Sequence, residues 1–219
     1  MLKMKFMKIK RIVVTCLFVF LSVSGITLGF GLRTDRVLAA EEEATLSTTV
    51  LEYLSFSLTV GDTVNFGNLT PGNPISAPST GTIASVTTNA ANGYTIGVSD
   101  GVASPNSSML HTDTVTRIPK MTNGTIATPV LWGSNTGVGI TLYAADTNKE
   151  SKWGTGTTYD DSNNKYAAIP ETATTAHTVT GTVSGADTSS WAFKIDVPNT
   201  QKTGTYSGTV TFTATAVLS

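Results

Sequence analysis

After residue 44 the chain alternates apolar and polar residues with a repeat of two over several short stretches. The pattern is clearest near the carboxyl end, where Trp191, Phe193, Ile195 and Val197 alternate with Ala192, Lys194 and Asp196. Successive side chains of a strand point to opposite faces, so this run predicts a strand with one buried side. Pro198 ends it and residues 199–204 turn. Tyr206, Gly208, Val210, Phe212, Ala214 and Ala216 then alternate with Ser207 and a row of threonines. Together the two runs predict a β-hairpin.

The same alternation opens the domain. Leu54, Phe56, Leu58 and Val60 face one way and Ser55, Ser57 and Thr59 the other, ahead of a Gly61-Asp62 turn and a second turn over residues 70–74. A strand over residues 83–88, a break at residues 89–93, and Tyr94, Ile96 and Val98 predict another hairpin, and Val138, Ile140 and Leu142 one more strand. No amphipathic helical run separates these strands, and β-branched residues dominate. The predicted class is therefore all-β, an antiparallel β-sandwich. Two stretches do not alternate. In residues 103–131, Met109 and Leu110 suit a short helix or a capping loop. The polar insertion over residues 146–165 is too long for a plain turn, and loops of that length are often functional or disordered.

The amino-terminal part obeys a different pattern. Lys3, Lys5, Lys8, Lys10 and Arg11 precede an uncharged apolar run from Ile12 to Leu32, the n-region and h-region of a signal peptide, read as an apolar signal helix. Small residues at Ala39-Ala40, just before Glu41-Glu42-Glu43, mark the expected cleavage site. This divides the chain into a signal peptide over 1–40 and one domain over 41–219. The apolar run is about 21 residues, enough to span a bilayer core, so an uncleaved anchor is the alternative. Membrane contact is expected only through this segment. Cys16 is the single cysteine, follows Thr15 and lies close behind Lys10-Arg11, which argues against lipidation, and the domain can form no disulfide. Its stability must come from an apolar core. With a net charge of -1 and 13% charged residues, the chain offers no basic patch for nucleic acid, and the expected partner is neutral or recognised by shape.

Several constellations bear on chemistry. Gly97-Val98-Ser99-Asp100-Gly101 matches the G-x-S-x-G pattern of a nucleophile elbow, with Asp100 and His111 completing a triad on paper. The following residues lack the helix that an elbow needs, so the pattern reads as a strand-ending turn. His111 and His177 have no neighbouring ligands at metal spacing and read as solvent-facing histidines. Asp146 to Glu150 and Asp160 to Asn164 place oxygen atoms as a calcium loop does, but lack the glycine and distal glutamate of the EF-hand. No catalytic residue, metal ligand or cofactor is therefore assigned. Phe193 and Phe212 occupy the apolar phase of strands and are expected to carry the core aromatic roles. Trp132, Trp153, Tyr159 and Tyr166 lie in turn-rich sequence, where a ring either pins its loop or stays exposed to stack on a sugar. These four are the candidate binding residues.

The order Val64-Asn65-Phe66-Gly67, Asn92-Gly93-Tyr94-Thr95-Ile96 and Gly204-Thr205-Tyr206-Ser207-Gly208-Thr209-Val210-Thr211-Phe212-Thr213 resembles the landmarks of WxL surface domains of Gram-positive bacteria. It is also similar to exported β proteins that end in a G-T-Y-S type hairpin. The W-x-L positions read Tyr94-Thr95-Ile96 and Phe212-Thr213-Ala214 in this chain. The resemblance implies noncovalent attachment to peptidoglycan. The leading expectation is a non-catalytic exported surface protein that binds cell-wall polymer, such as peptidoglycan or another surface glycan, or some other surface component. The alternative is self-assembly into a fibre, in which residues 42–60 complete a neighbour's sheet by strand addition. An exported serine hydrolase is the third reading and rests on Ser99 alone.

Overall fold

The computed structural model of the chain describes residues 45–101, 107–183 and 185–218. The expected signal segment and cleavage site lie outside the described residues. Residues 48–219 form a compact unit of their own. Its strands are Leu54–Val60 (β1), Ile75–Thr88 (β2), Tyr94–Asp100 (β3), Ser107–His111 (β4), Arg117–Pro119 (β5), Val130–Leu131 (β6), Gly137–Ala145 (β7), Lys165–Ala168 (β8), Thr174–Val179 (β9), Asp187–Asp196 (β10), Tyr206–Ser207 (β11) and Val210–Ala216 (β12). Among the described residues there is no α-helix, only a 3-10 turn at Ser151–Trp153.

The strands form two facing layers in a sandwich-like arrangement. One layer is a six-stranded sheet in the order β1-β2-β10-β7-β8-β6, and the other combines β12-β3-β9 with β11-β4-β5. Every ladder between these strands is antiparallel. Strands β3 and β4 run in line along β11 and β12. Asp100 pairs with Val210 and Leu110 with Ser207, so β3 and β4 lie against successive parts of one chain segment. Turns between the elements depend on glycine where the backbone is left-handed, as at Gly61 with φ 68°, whose Cα faces the backbone of Gly81 too closely for a side chain.

The core lies between the layers. From the first sheet come Trp191, Phe193, Ile195, Val138, Ile140 and Leu142, and from the second Tyr94, Ile96 and Val98, all buried. The strand positions and phases match the alternation in the sequence; the pairings differ. β10 pairs with β2 and β7, and β12 with β3, so the run over 191–197 and the run over 206–216 are not a hairpin. They sit in opposite layers, where the Trp191 and Phe212 rings meet edge to face at 5.5 Å. The predicted hairpin across residues 89–93 is likewise a crossover, because β2 pairs with β1 and β10 while β3 joins the other layer. Met109 and Leu110 lie on strand β4 rather than on a helix.

The polar insertion is tied down by its own hydrogen bonds. Asn164 donates to the Thr158 carbonyl at 2.7 Å, Asp161 accepts from Asn163, and Lys149 donates to the Gly156 carbonyl. Burial lowers the pKa of the Lys149 ammonium, and the nearby Asp161 carboxylate opposes that shift.

Candidate functional site

The turn over residues 61–74 and the segment over residues 199–205 approach each other at one end of the sandwich. Between them opens a groove of about 430 Å³. Its floor is apolar, built from Phe66, Leu69, Met109, Ile118, Ile195 and Val197. Asn65, Asn68, Gln201, Thr203, Thr205 and Tyr206 form a rim of amides and hydroxyls. Tyr206 fixes that rim. Its hydroxyl donates to the Lys202 carbonyl at 2.7 Å and accepts from Gln201 Nε2 at 2.7 Å, while the same amide also donates to the Arg117 carbonyl. Lys202, also on the rim, is paired with Asp113 at 2.9 Å. Hydrogen bonds from the Thr116 hydroxyl and the Val115 backbone hold the Asp113 carboxyl well below the usual carboxylate range. Concave sites with an apolar lining and a few fixed polar groups are the common form of a binding site.

His111 stands behind this rim, its ring 4.8 Å from that of Tyr206. Nδ1 accepts the Asp113 backbone N–H at 3.0 Å and Nε2 faces the Thr203 carbonyl at 3.2 Å, an arrangement that suits the neutral ring protonated on Nε2. The Asp113 carboxylate also lies 3.1 Å from Nδ1. His177 is fully buried, with Nδ1 2.8 Å from Glu150. Burial pushes the Glu150 carboxyl up, but the His177 contact and the Thr178 backbone N–H outweigh it, and the net shift is downward. Close by, the buried Tyr94 hydroxyl donates to Asp187 at 2.6 Å, and burial followed by the Asp187 contact raises its pKa. The reading of both histidines as solvent-facing is therefore corrected. Each is buried beside a carboxylate, His111 by Asp113 two residues on and His177 by Glu150, 27 residues earlier.

The triad read on paper is not assembled. Ser99 pairs with Thr211 and His111 with Tyr206, five residues apart along one strand line, which at ~3.3 Å per residue puts them roughly 17 Å apart. Among the described residues, no group of three or more histidine, cysteine, aspartate or glutamate side chains is arranged to hold a metal ion.

Of the four candidate rings, three are inside. Trp153 is fully buried and meets Trp191 edge to face at 5.8 Å, and its Nε1 donates to the Ala176 carbonyl at 3.2 Å. It belongs to the main core, which overturns the expectation that the loop rings stand outside it. Trp132 and Tyr166 come together on the outer face of the six-stranded sheet, 5.4 Å apart and edge to face, with Met121 beside them. Lys194 lies over both, its Nζ 5.8 Å and 5.5 Å from the two ring centres. Burial lowers the pKa of that ammonium, and the Asp160 charge offsets part of the effect. Only Tyr159 keeps a half-exposed ring. The floor and rim of the end groove were not singled out from the sequence. Their sole signal was a pair of Asn- and Gly-containing turns that carried apolar residues in strand phase. Comparison with known protein families and with curated proteins gives no match to this chain.

Proposed function

We propose that the chain is a non-catalytic, exported surface module that binds an uncharged wall or surface polymer in the end groove. The observation that carries this reading is the pairing of an apolar floor with a rim of amides and hydroxyls whose lysine is already neutralised by Asp113. A sugar ring presents an apolar face and polar edges, and such a surface suits both. The signal-peptide pattern and the resemblance to WxL surface domains support the same assignment, with the glycan strand of peptidoglycan as the favoured ligand.

Sedimentation with purified cell walls tests it. The protein should co-sediment, the binding should change little between 50 and 500 mM salt, and Asn68→Ala with Thr205→Ala should lower affinity at least tenfold. Tyr159→Ala should bind as the unaltered protein does. Absence of co-sedimentation, or a rim variant that binds normally while melting normally, overturns the reading.

A further inference from the structure

Besides the end groove, the core is incompletely covered along a seam between two edge strands. Core-facing residues of the interior strands, such as Ile96, Val98, Ile140 and Ile195, are fully buried. Those of β1 (Leu54, Phe56, Leu58) and of β12 (Val210, Phe212, Ala214) are only half-buried, although their alternation points them inward. β1 is the edge of one layer and β12 the edge of the other. Between them lies a cleft of about 190 Å³, lined by Leu58, Val210 and Phe212 with Phe193 and Ile169 behind. Each flanking strand therefore has an outer backbone edge with no ladder partner among the described strands, beside apolar side chains that are incompletely covered.

Edge strands of this kind are normally protected by charge or proline. From residue 206 to residue 218 there is neither, and from residue 48 to residue 60 the only charge is Glu52. The segment that leads into β1 is itself extended and apolar, with Val50 79%, Leu51 80% and Tyr53 55% exposed. It runs on from β1 and leaves the seam of its own molecule uncovered. Asn89 grips it through Tyr53 N–H (2.6 Å) and the Leu51 carbonyl (2.9 Å), which continues the line of β1 past the end of β2. Residues 48–53 contain no Gly, Pro, Asn or Asp to reverse the chain. Six extended residues span ~20 Å, close to the length of β1.

We propose that the seam between β1 and β12 accepts the arm of residues 48–53 from a second copy of the chain, added as an extra strand at that open edge. Arm and seam are different surfaces of one molecule, so the contact is head to tail. Such contacts build open filaments unless the rotation happens to close a ring. The assembly surface is separate from the proposed polymer site, although the cleft and the end groove share Val64, Phe66 and Met109 at their junction.

The test uses the protein purified as its cell produces it, in analytical ultracentrifugation and negative-stain electron microscopy at rising concentration. The unaltered protein should form concentration-dependent oligomers and filaments. Val50→Lys with Leu51→Lys, both exposed, should lower the assembled fraction at least tenfold while leaving the melting curve and wall binding of the monomer in place. Val50→Ile with Leu51→Val should restore assembly. A second pair, Val50→Cys and Thr213→Cys introduced into separate copies lacking Cys16, should cross-link only when the two are mixed. An unaltered protein that stays monomeric at millimolar concentration overturns the proposal, and so does a lysine variant that assembles normally.

Discussion

Replacing Trp153 with alanine should cost more stability than replacing Phe212, the reverse of what strand phase alone implies. The Trp153 ring has no exposed surface, stands 5.8 Å from Trp191, and spends its N–H on the Ala176 carbonyl. An indole buries roughly 200 Å², and at about 25 cal/mol per Å² that is about 5 kcal/mol. The compact unfolded chain already buries some 10–40% of this, leaving about 3 to 4 kcal/mol. Loss of the hydrogen bond adds ~1 kcal/mol. The sum, about 4 to 5 kcal/mol, lies within the 3–5 kcal/mol found for emptying aromatic core sites. Phe212 is packed against Trp191 but half-exposed on the seam, so its removal should cost about 2 kcal/mol. Urea denaturation followed by tryptophan fluorescence and far-ultraviolet circular dichroism reads both changes, provided the m-value is unaltered. A Trp153→Ala midpoint that falls no further than that of Phe212→Ala would show that the 3-10 turn does not insert its ring between the layers.

Two further outcomes follow from buried and half-buried polar groups. The folded-state pKa of Glu150 lies below its ordinary value of 4.5, so its contact with His177 stabilises the fold fully above that value and loses the contribution as pH falls through the lower one. Glu150→Gln should therefore lower stability at pH 7 by about 2 kcal/mol, the scale of a hydrogen bond to a charged group, and flatten the acid limb between pH 5 and 3. Urea midpoints that run parallel for the two proteins across that range would rule this out. Ser99→Ala should shift stability by no more than about 0.5 kcal/mol and leave wall binding unchanged, because Ser99 is a half-exposed residue in the middle of a ladder. Loss of a hydrolytic activity in a folded Ser99→Ala protein would refute it.

The strands were legible in the sequence because a repeat of two records which side of a strand meets the core, and that information is local. Pairing is not local. Trp191 and Phe212 stand in the apolar phase whether their strands are neighbours in one sheet or face each other across two, and the connection over residues 198–205 suits either case. The same ambiguity hid the crossover from β2 to β3. His177 illustrates a second limit, since its partner Glu150 lies 27 residues earlier and sits just outside the 3-10 turn. Nothing near either residue announces the pair. The arm before β1 was readable as an undefended extended segment, but the half-buried seam that matches it required knowing which strands form the two edges.

Trp132 and Tyr166 show why turn-rich sequence around an aromatic ring does not decide its exposure. β7 carries Gly139 opposite Lys194 of β10 and Ala168 of β8, and that glycine leaves a socket on the outer face of the sheet. A side chain there would meet Trp132 Cζ3 at 3.0 Å and would also press on the Met121 sulfur. The chain brings Met121 into the socket by pairing Lys120 beside Val138 and bonding the Met121 N–H to the Val138 carbonyl at 2.8 Å. Lys194 then closes it with its stem and ammonium over the two rings, which removes from solvent the flat surface a sugar would need. Lys194→Ala should therefore uncover the rings rather than abolish wall binding, because recognition in the proposed scheme has moved to the end groove. There the Gln201 amide and the Tyr206 hydroxyl are held by the Arg117 and Lys202 carbonyls beside an apolar floor.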